Sequence, residues 1–121
     1  MSNVDQERLS FWNSRAALGV AAGTNDVPLK ALEMHHIAQF LEGCETVLDA
    51  GCGNGVTAVS MLKSKRVSQL YAFDYAEAMV SEAARHARAE GVADRFRVEV
   101  GDLGLRGVRR CRDRQEGCRS R

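Results

Sequence analysis

Three carboxylates and one glycine-rich run carry the chemistry this chain can do. Asp49 stands two residues ahead of Gly51-Cys52-Gly53-Asn54-Gly55, Asp74 follows Gln69 to Phe73, and Asp102 follows the alternating stretch Phe96 to Val100 and Gly101. Glycine removes the Cβ wall, so the backbone can turn sharply after Ala50 and approach a ligand, while the helix that follows offers free N–H groups and a positive dipole end. The dinucleotide fingerprint G-x-G-x-x-G would need glycine at position 56, where Val56 stands, and no Gly-Lys-Ser/Thr occurs. A pyrophosphate would meet Asp49 unfavourably. An acid at that point suits a ligand bearing an ammonium group, and a cationic amino-acid moiety fits best.

The elements that must position these residues follow from pattern. Met1 to Pro28 is a mixed segment with an aromatic pair, Phe11 and Trp12, and a turn-forming run, Gly23 to Asp26. From Val27 the apolar residues Leu29, Leu32, Ile37, Phe40 and Leu41 recur at three- to five-residue steps, with Asp26 as cap and Pro28 in the first turn. This spacing predicts a helix to about Glu42, ended by Gly43. Thr46 to Ala50 reads as a strand running into the glycine loop, after which Val56, Val59, Met61 and Leu62 resume helical spacing. Gln69 to Phe73 is a second strand, Ala76 to Glu90 a second helix closed by Gly91, and Phe96, Val98 and Val100 mark a third strand. The order βαβαβ implies a parallel sheet with right-handed crossovers, whose ligands bind at the carboxyl ends of the strands. All three acids fall there.

Val47-Leu48-Asp49-Ala50-Gly51-Cys52-Gly53-Asn54-Gly55 resembles the first motif of the class I S-adenosylmethionine-dependent methyltransferases, close to the form VLDxGCGxG. Asp74 and Asp102-Leu103 match two further positions of that family. The resemblance implies an α/β, Rossmann-like three-layer sandwich, S-adenosyl-L-methionine as cofactor, and methyl transfer to a small-molecule or saccharide-like acceptor. By the same resemblance Asp49 and the backbone of Gly51, Cys52, Gly53 and Gly55 would hold the methionyl amine and carboxylate. Asp74 would accept hydrogen bonds from both ribose hydroxyls, Asp102 would take the adenine amino group with Leu103 beside the ring, and Tyr75 and Met79 would flank the adenosine. The family often places Ser or Thr two residues after the ribose-binding acid. Ala76 stands there instead, so Asp74 serves without that helper or caps the helix itself. Arg15 and Thr24 are further candidates for cofactor contact, in a segment that resembles a lid. No catalytic acid or base is named, because an activated sulfonium asks mainly for proximity and orientation.

The resemblance covers about Phe11 to Leu103, which suggests the division 1–45 (helical lid or cap), 46–103 (βαβαβ cofactor-binding half) and 104–121 (Arg-rich tail). Only the first half of the fold is expected. Residues 1–103 carry ten Lys/Arg against fourteen Asp/Glu, whereas 104–121 carry seven Arg against two acids and few aliphatic residues. That tail is expected to be disordered and to derive from a shifted reading frame, the chain being a truncated product. The bare flank of the first strand is expected to favour self-association.

Composition bounds the alternatives. At 121 residues the chain holds one domain at most, and 45% hydrophobic with 27% charged residues describes a soluble globular chain. No apolar run approaches the roughly 20 residues of a membrane span. The start lacks a secretory pattern, so a cytoplasmic address is the default and the four cysteines are thiols. Their spacing lacks paired C-x-x-C, and adjacent His35 and His36 cannot share a helix face, so no metal site is expected. Two other readings stay open: a non-catalytic cofactor- or partner-binding module, and a nucleic-acid binder acting through the tail. The tail has no aromatic residue for stacking, which sets the nucleic-acid reading behind the others.

Overall fold

The computed structural model describes residues 2–64 and 67–102. The tail and Leu103 lie outside the described residues. Helix α1 (Asn3–Arg15) leads into a 3-10 segment (Ala16–Ala22), then α2 (Val27–Phe40), β1 (Thr46–Ala50), α3 (Val56–Lys63), β2 (Gln69–Asp74), α4 (Glu77–Ala89) and β3 (Phe96–Val100). The three strands form a parallel sheet in the order β1-β2-β3, with Leu48 opposite Tyr71 and Tyr71 opposite Arg97. The βαβαβ reading holds, and the strand and helix limits fall within about two residues of the sequence expectation.

Alternation divides the sheet into two faces. Val47, Leu70, Ala72, Phe96 and Val98 point to one side and pack with Val59, Met61 and Leu62 of α3 and Ala83 and Ala87 of α4. The alanines of α4 let it lie close to the start of α3, where Gly55 stands against Ala83. The opposite face carries Leu48, 65% exposed, and Tyr71, 41% exposed. Among the described residues, helices therefore cover one face, making two layers of the three-layer Rossmann-like plan.

The first 28 residues hold more order than a mixed segment. Ser2 Oγ accepts the Asp5 N–H at 3.2 Å while Asp5 Oδ2 accepts the Ser2 N–H at 3.1 Å, a reciprocal cap that starts α1. Leu9 and Trp12 of α1 then pack with Ala16, Ala22, Ala76 and Met79, seating this segment against the start of α4. Asp26 Oδ1 accepts the Leu29 N–H at 2.9 Å, the cap expected for α2. No helix among the described residues is long and apolar enough to cross a membrane.

Candidate functional site

The carboxyl end of β2 gathers the loops on either side of it. Phe73 O accepts the N–H groups of Gly51 (2.8 Å) and Cys52 (3.0 Å), and Asp74 O accepts the Gly101 N–H at 2.9 Å. The turn after β1 and the turn after β3 are thus fixed to the same two residues. Gly51 and Gly53 turn with φ of 75° and 56°, a region open to glycine at little cost.

Asp74 organises the interior of this turn. Its Oδ2 accepts the Gly53 N–H and its Oδ1 the Ala76 N–H, both at 2.9 Å, and its side chain is buried. A carboxylate offers about four lone-pair positions, so two remain for a ligand. Asp74 secures the approach to α4 as Ala76 requires, but the helix's own N–H at Ala78 is capped from elsewhere: Asn13 Oδ1 accepts it at 3.0 Å. No local pattern announces that contact, since Asn13 lies 65 residues away.

Asn54 is the second residue whose role sequence spacing does not disclose. It is buried, and its Nδ2 donates to Gly19 O at 2.8 Å and Ala16 O at 3.1 Å, tying the glycine loop to the leading segment. Arg15, a candidate for ligand contact, instead donates from Nε to Ala22 O at 2.8 Å and from its terminal nitrogen to Ala21 O at 2.5 Å. Its guanidinium also stacks 5.3 Å from the Phe11 ring centroid. Arg15 holds the 3-10 segment in shape.

Between these parts opens a cavity of about 600 Å³. Asp49, Gly51, Cys52, Gly53, Asp74, Tyr75 and Met79 line it, joined by Trp12, Thr24, Lys30, Glu33 and Asn54. Three of the expected site residues stand apart. Gly55 does not line the cavity; a Cβ there would lie 3.0 Å from Ala83 Cβ, so glycine is needed for the contact between α3 and α4. Asp102 is exposed just beyond β3 and does not line the cavity, although its charge is felt at the Tyr75 phenol. Leu103 lies outside the described residues. Lys30 and Glu33, which sequence reading passed over, face the cavity from α2.

Electrostatics follow from this arrangement. Burial pushes the Asp49 carboxyl up, the Lys30 ammonium draws it partly back, and the Asp74 charge adds to the rise. The Cys52 thiol is pushed up to about 12, chiefly by burial and then by the Asp49 and Asp74 charges. It is a neutral packing group rather than a nucleophile. Burial and then the Asp74 charge also raise the Tyr75 phenol. The arrangement can take a ligand that brings positive charge to Asp49 and hydroxyl donors to Asp74. Among the described residues no group of three or more His, Cys, Asp or Glu is placed to hold a metal ion.

Residues 47–108 match the model of a methyltransferase domain family. Ribosomal protein L11 methyltransferase of Streptococcus pyogenes serotype M4 is 35% identical over 92 residues, covering 74% of this chain and 28% of that protein. Its counterpart in Streptococcus uberis is 34% identical over the same length. The chain therefore spans 28% of the length of these relatives. Among solved structures, a SAM-dependent methyltransferase from Geobacter sulfurreducens, crystallised with S-adenosyl-L-homocysteine, aligns with a TM-score of 0.52 at 27% identity, covering 60% of this chain and 29% of that one. YjhP of E. coli aligns with a TM-score of 0.58 at 17% identity over 76% of this chain and 36% of that one, a likeness of fold alone.

Proposed function

Because the chain belongs to the methyltransferase domain family, we propose that it forms the S-adenosyl-L-methionine-binding portion of an enzyme that moves a methyl group to a small-molecule acceptor. The observation that carries this reading is the convergence of Asp49 and Asp74 with the glycine turn on one cavity of about 600 Å³. That is within the range of ligand pockets, roughly 300 to 1,000 Å³. When bound, the cofactor supplies a methyl group already activated on a positively charged sulfur.

The protein's part is binding and orientation. Asp49 takes the ammonium of the amino-acid end. Asp74, with two lone-pair positions left over, takes the ribose hydroxyls through charge-assisted hydrogen bonds. Tyr75 and Met79, which line the cavity, flank the adenosine. Trp12 and, from the 3-10 segment, Gly19, Val20 and Ala22 line the cavity on its N-terminal side. We place the protein in the cytoplasm, where thiols such as Cys44 and Cys52 stay reduced.

A calorimetric titration with S-adenosyl-L-homocysteine tests the reading directly. Saturable binding at one site supports it, and no heat at millimolar ligand removes it. The relatives named for ribosomal protein L11 favour a protein as the second acceptor class. Methylation by the enzyme of purified ribosomal protein L11, with none of a panel of small hydroxyl and amine acceptors, would establish that alternative.

A further inference from the structure

The face of the sheet turned away from the helices carries two matched rows of side chains. One row runs Leu48, Tyr71, Arg97 across β1, β2 and β3, and the next runs Ala50, Phe73, Glu99. Leu48 and Tyr71 are 65% and 41% exposed, Phe73 is half-buried, and Ala50, Arg97 and Glu99 are exposed. An aliphatic and two aromatic side chains grouped in this way form a contact patch, unlike apolar residues scattered singly over a surface. Each row passes from aliphatic to aromatic to charged, and the two charges have opposite sign. Among the described residues neither Arg97 nor Glu99 has an ion-pair partner.

We propose that this face packs on the same face of a second copy of the chain, with the strands of the two copies antiparallel. A half-turn about an axis that lies between the sheets, runs across the strands and is level with Ala72 lays each row on the other row of the partner. Leu48 then meets the partner's Ala50, Tyr71 meets the partner's Phe73 and Arg97 meets the partner's Glu99, and symmetry makes each contact twice. Large lies on small, ring on ring and positive on negative. A half-turn about an axis along the strands would instead set Leu48 on the partner's Arg97. Sheets pack about 10 Å apart with strand lines within about 30° of each other, a gap that Arg and Glu side chains can bridge. Asp49 and Asp74 belong to the opposite face, so this packing is independent of what the cavity binds and leaves both cavities open. Three strands of five or six residues cover only roughly 14 by 18 Å, so the dimer should form and dissociate with concentration.

Sedimentation equilibrium of the full chain, from micromolar to millimolar concentration, should show the mass rise from 13.3 kDa toward twice that value. Arg97→Glu and Glu99→Arg, each alone, set like charges against each other and should move the midpoint to at least about tenfold higher concentration. Mixed in equal amounts, the same two variants restore both ion pairs and should associate as the wild type does. The double exchange Arg97→Glu with Glu99→Arg should do so as well. A wild type that stays monomeric throughout, whatever else covers the face, overturns the proposal. So does an association that the single variants leave unchanged, which would place the contact elsewhere, for instance on the flank of β1, and so does a mixture that fails to recover. Should a charge variant not fold by circular dichroism, Leu48→Gln decides: it should weaken the dimer, and an undiminished dimer overturns the proposal.

Discussion

Asp74 Oδ2 accepts the Gly53 N–H at 2.9 Å, so the acid that ends β2 holds the turn that follows β1. The same carboxylate holds the Ala76 N–H through its other oxygen. A residue expected to touch a ligand is therefore also a structural tie between two loops.

Asp74→Ala should for that reason lose both properties at once. Removing the carboxylate strands two backbone donors, each costing about 1 to 3 kcal/mol if left without a partner. Urea denaturation should show a fall in unfolding free energy, and calorimetry should show S-adenosyl-L-homocysteine affinity lowered by at least about tenfold, the equivalent of one charged hydrogen bond. An unaltered denaturation midpoint would show that the two ties contribute nothing.

Asp49 should trade stability for binding. Its folded pKa is raised above the ordinary 3.8 by burial, so the ionised form is the one the fold disfavours. Its favourable contribution is complete below the unfolded pKa and is lost as pH rises through the folded value. Asp49→Asn should thus raise the ligand-free melting temperature at pH 7, and the gain over wild type should shrink as pH falls toward 4. The same variant should bind S-adenosyl-L-homocysteine more weakly. A melting temperature at pH 7 below that of the wild type would contradict the sign.

Glycines 51 and 55 should differ although both have positive φ, 75° and 82°. An alanine at position 51 meets nothing within 4 Å and suffers only backbone strain, about 1 to 2 kcal/mol. At position 55 it also meets Ala83 Cβ at 3.0 Å and Cα at 3.1 Å. Gly55→Ala should be the more destabilising in urea, and Ala83→Gly should recover part of its loss. Equal losses for the two variants would deny the crowding.

Thiol labelling should separate the cysteines. Cys52 has its pKa pushed up to about 12, whereas Cys44 is exposed. At pH 8 the folded protein should react at Cys44 and spare Cys52, with Cys52 becoming reactive on addition of denaturant. Mass spectrometry of the modified peptides reads the outcome.

Most of the fold was legible because the signals are local. Alternation at Phe96, Val98 and Val100, the cap at Asp26 and the glycines at 43, 51, 53 and 91 act within a few residues of themselves, so short windows suffice. Helix α1 escaped notice because its apolar residues follow no clean period; the usable signal was the capping pair Ser2 and Asp5. Asn13 and Asn54 were out of reach for a different reason. Their partners lie 65 and 38 residues away, and polar side chains of that kind are equally at home on a surface. Lys30 belongs with them, since a lysine on a helix declares its surroundings only when the cavity beside it is seen. Gly55 stands out in sequence only as one of a glycine run; that its neighbour is Ala83 emerges from the packing of α3 on α4.

The amide of Asn54 grips two carbonyls of the leading segment while its own backbone belongs to the glycine turn. That side chain ties roof and floor of the cavity together, beside the packing of Leu9 and Trp12 on the start of α4. Opening one slackens the other, so deuterium should enter the amides around Gly19 and around Asn54 in one concerted event rather than two.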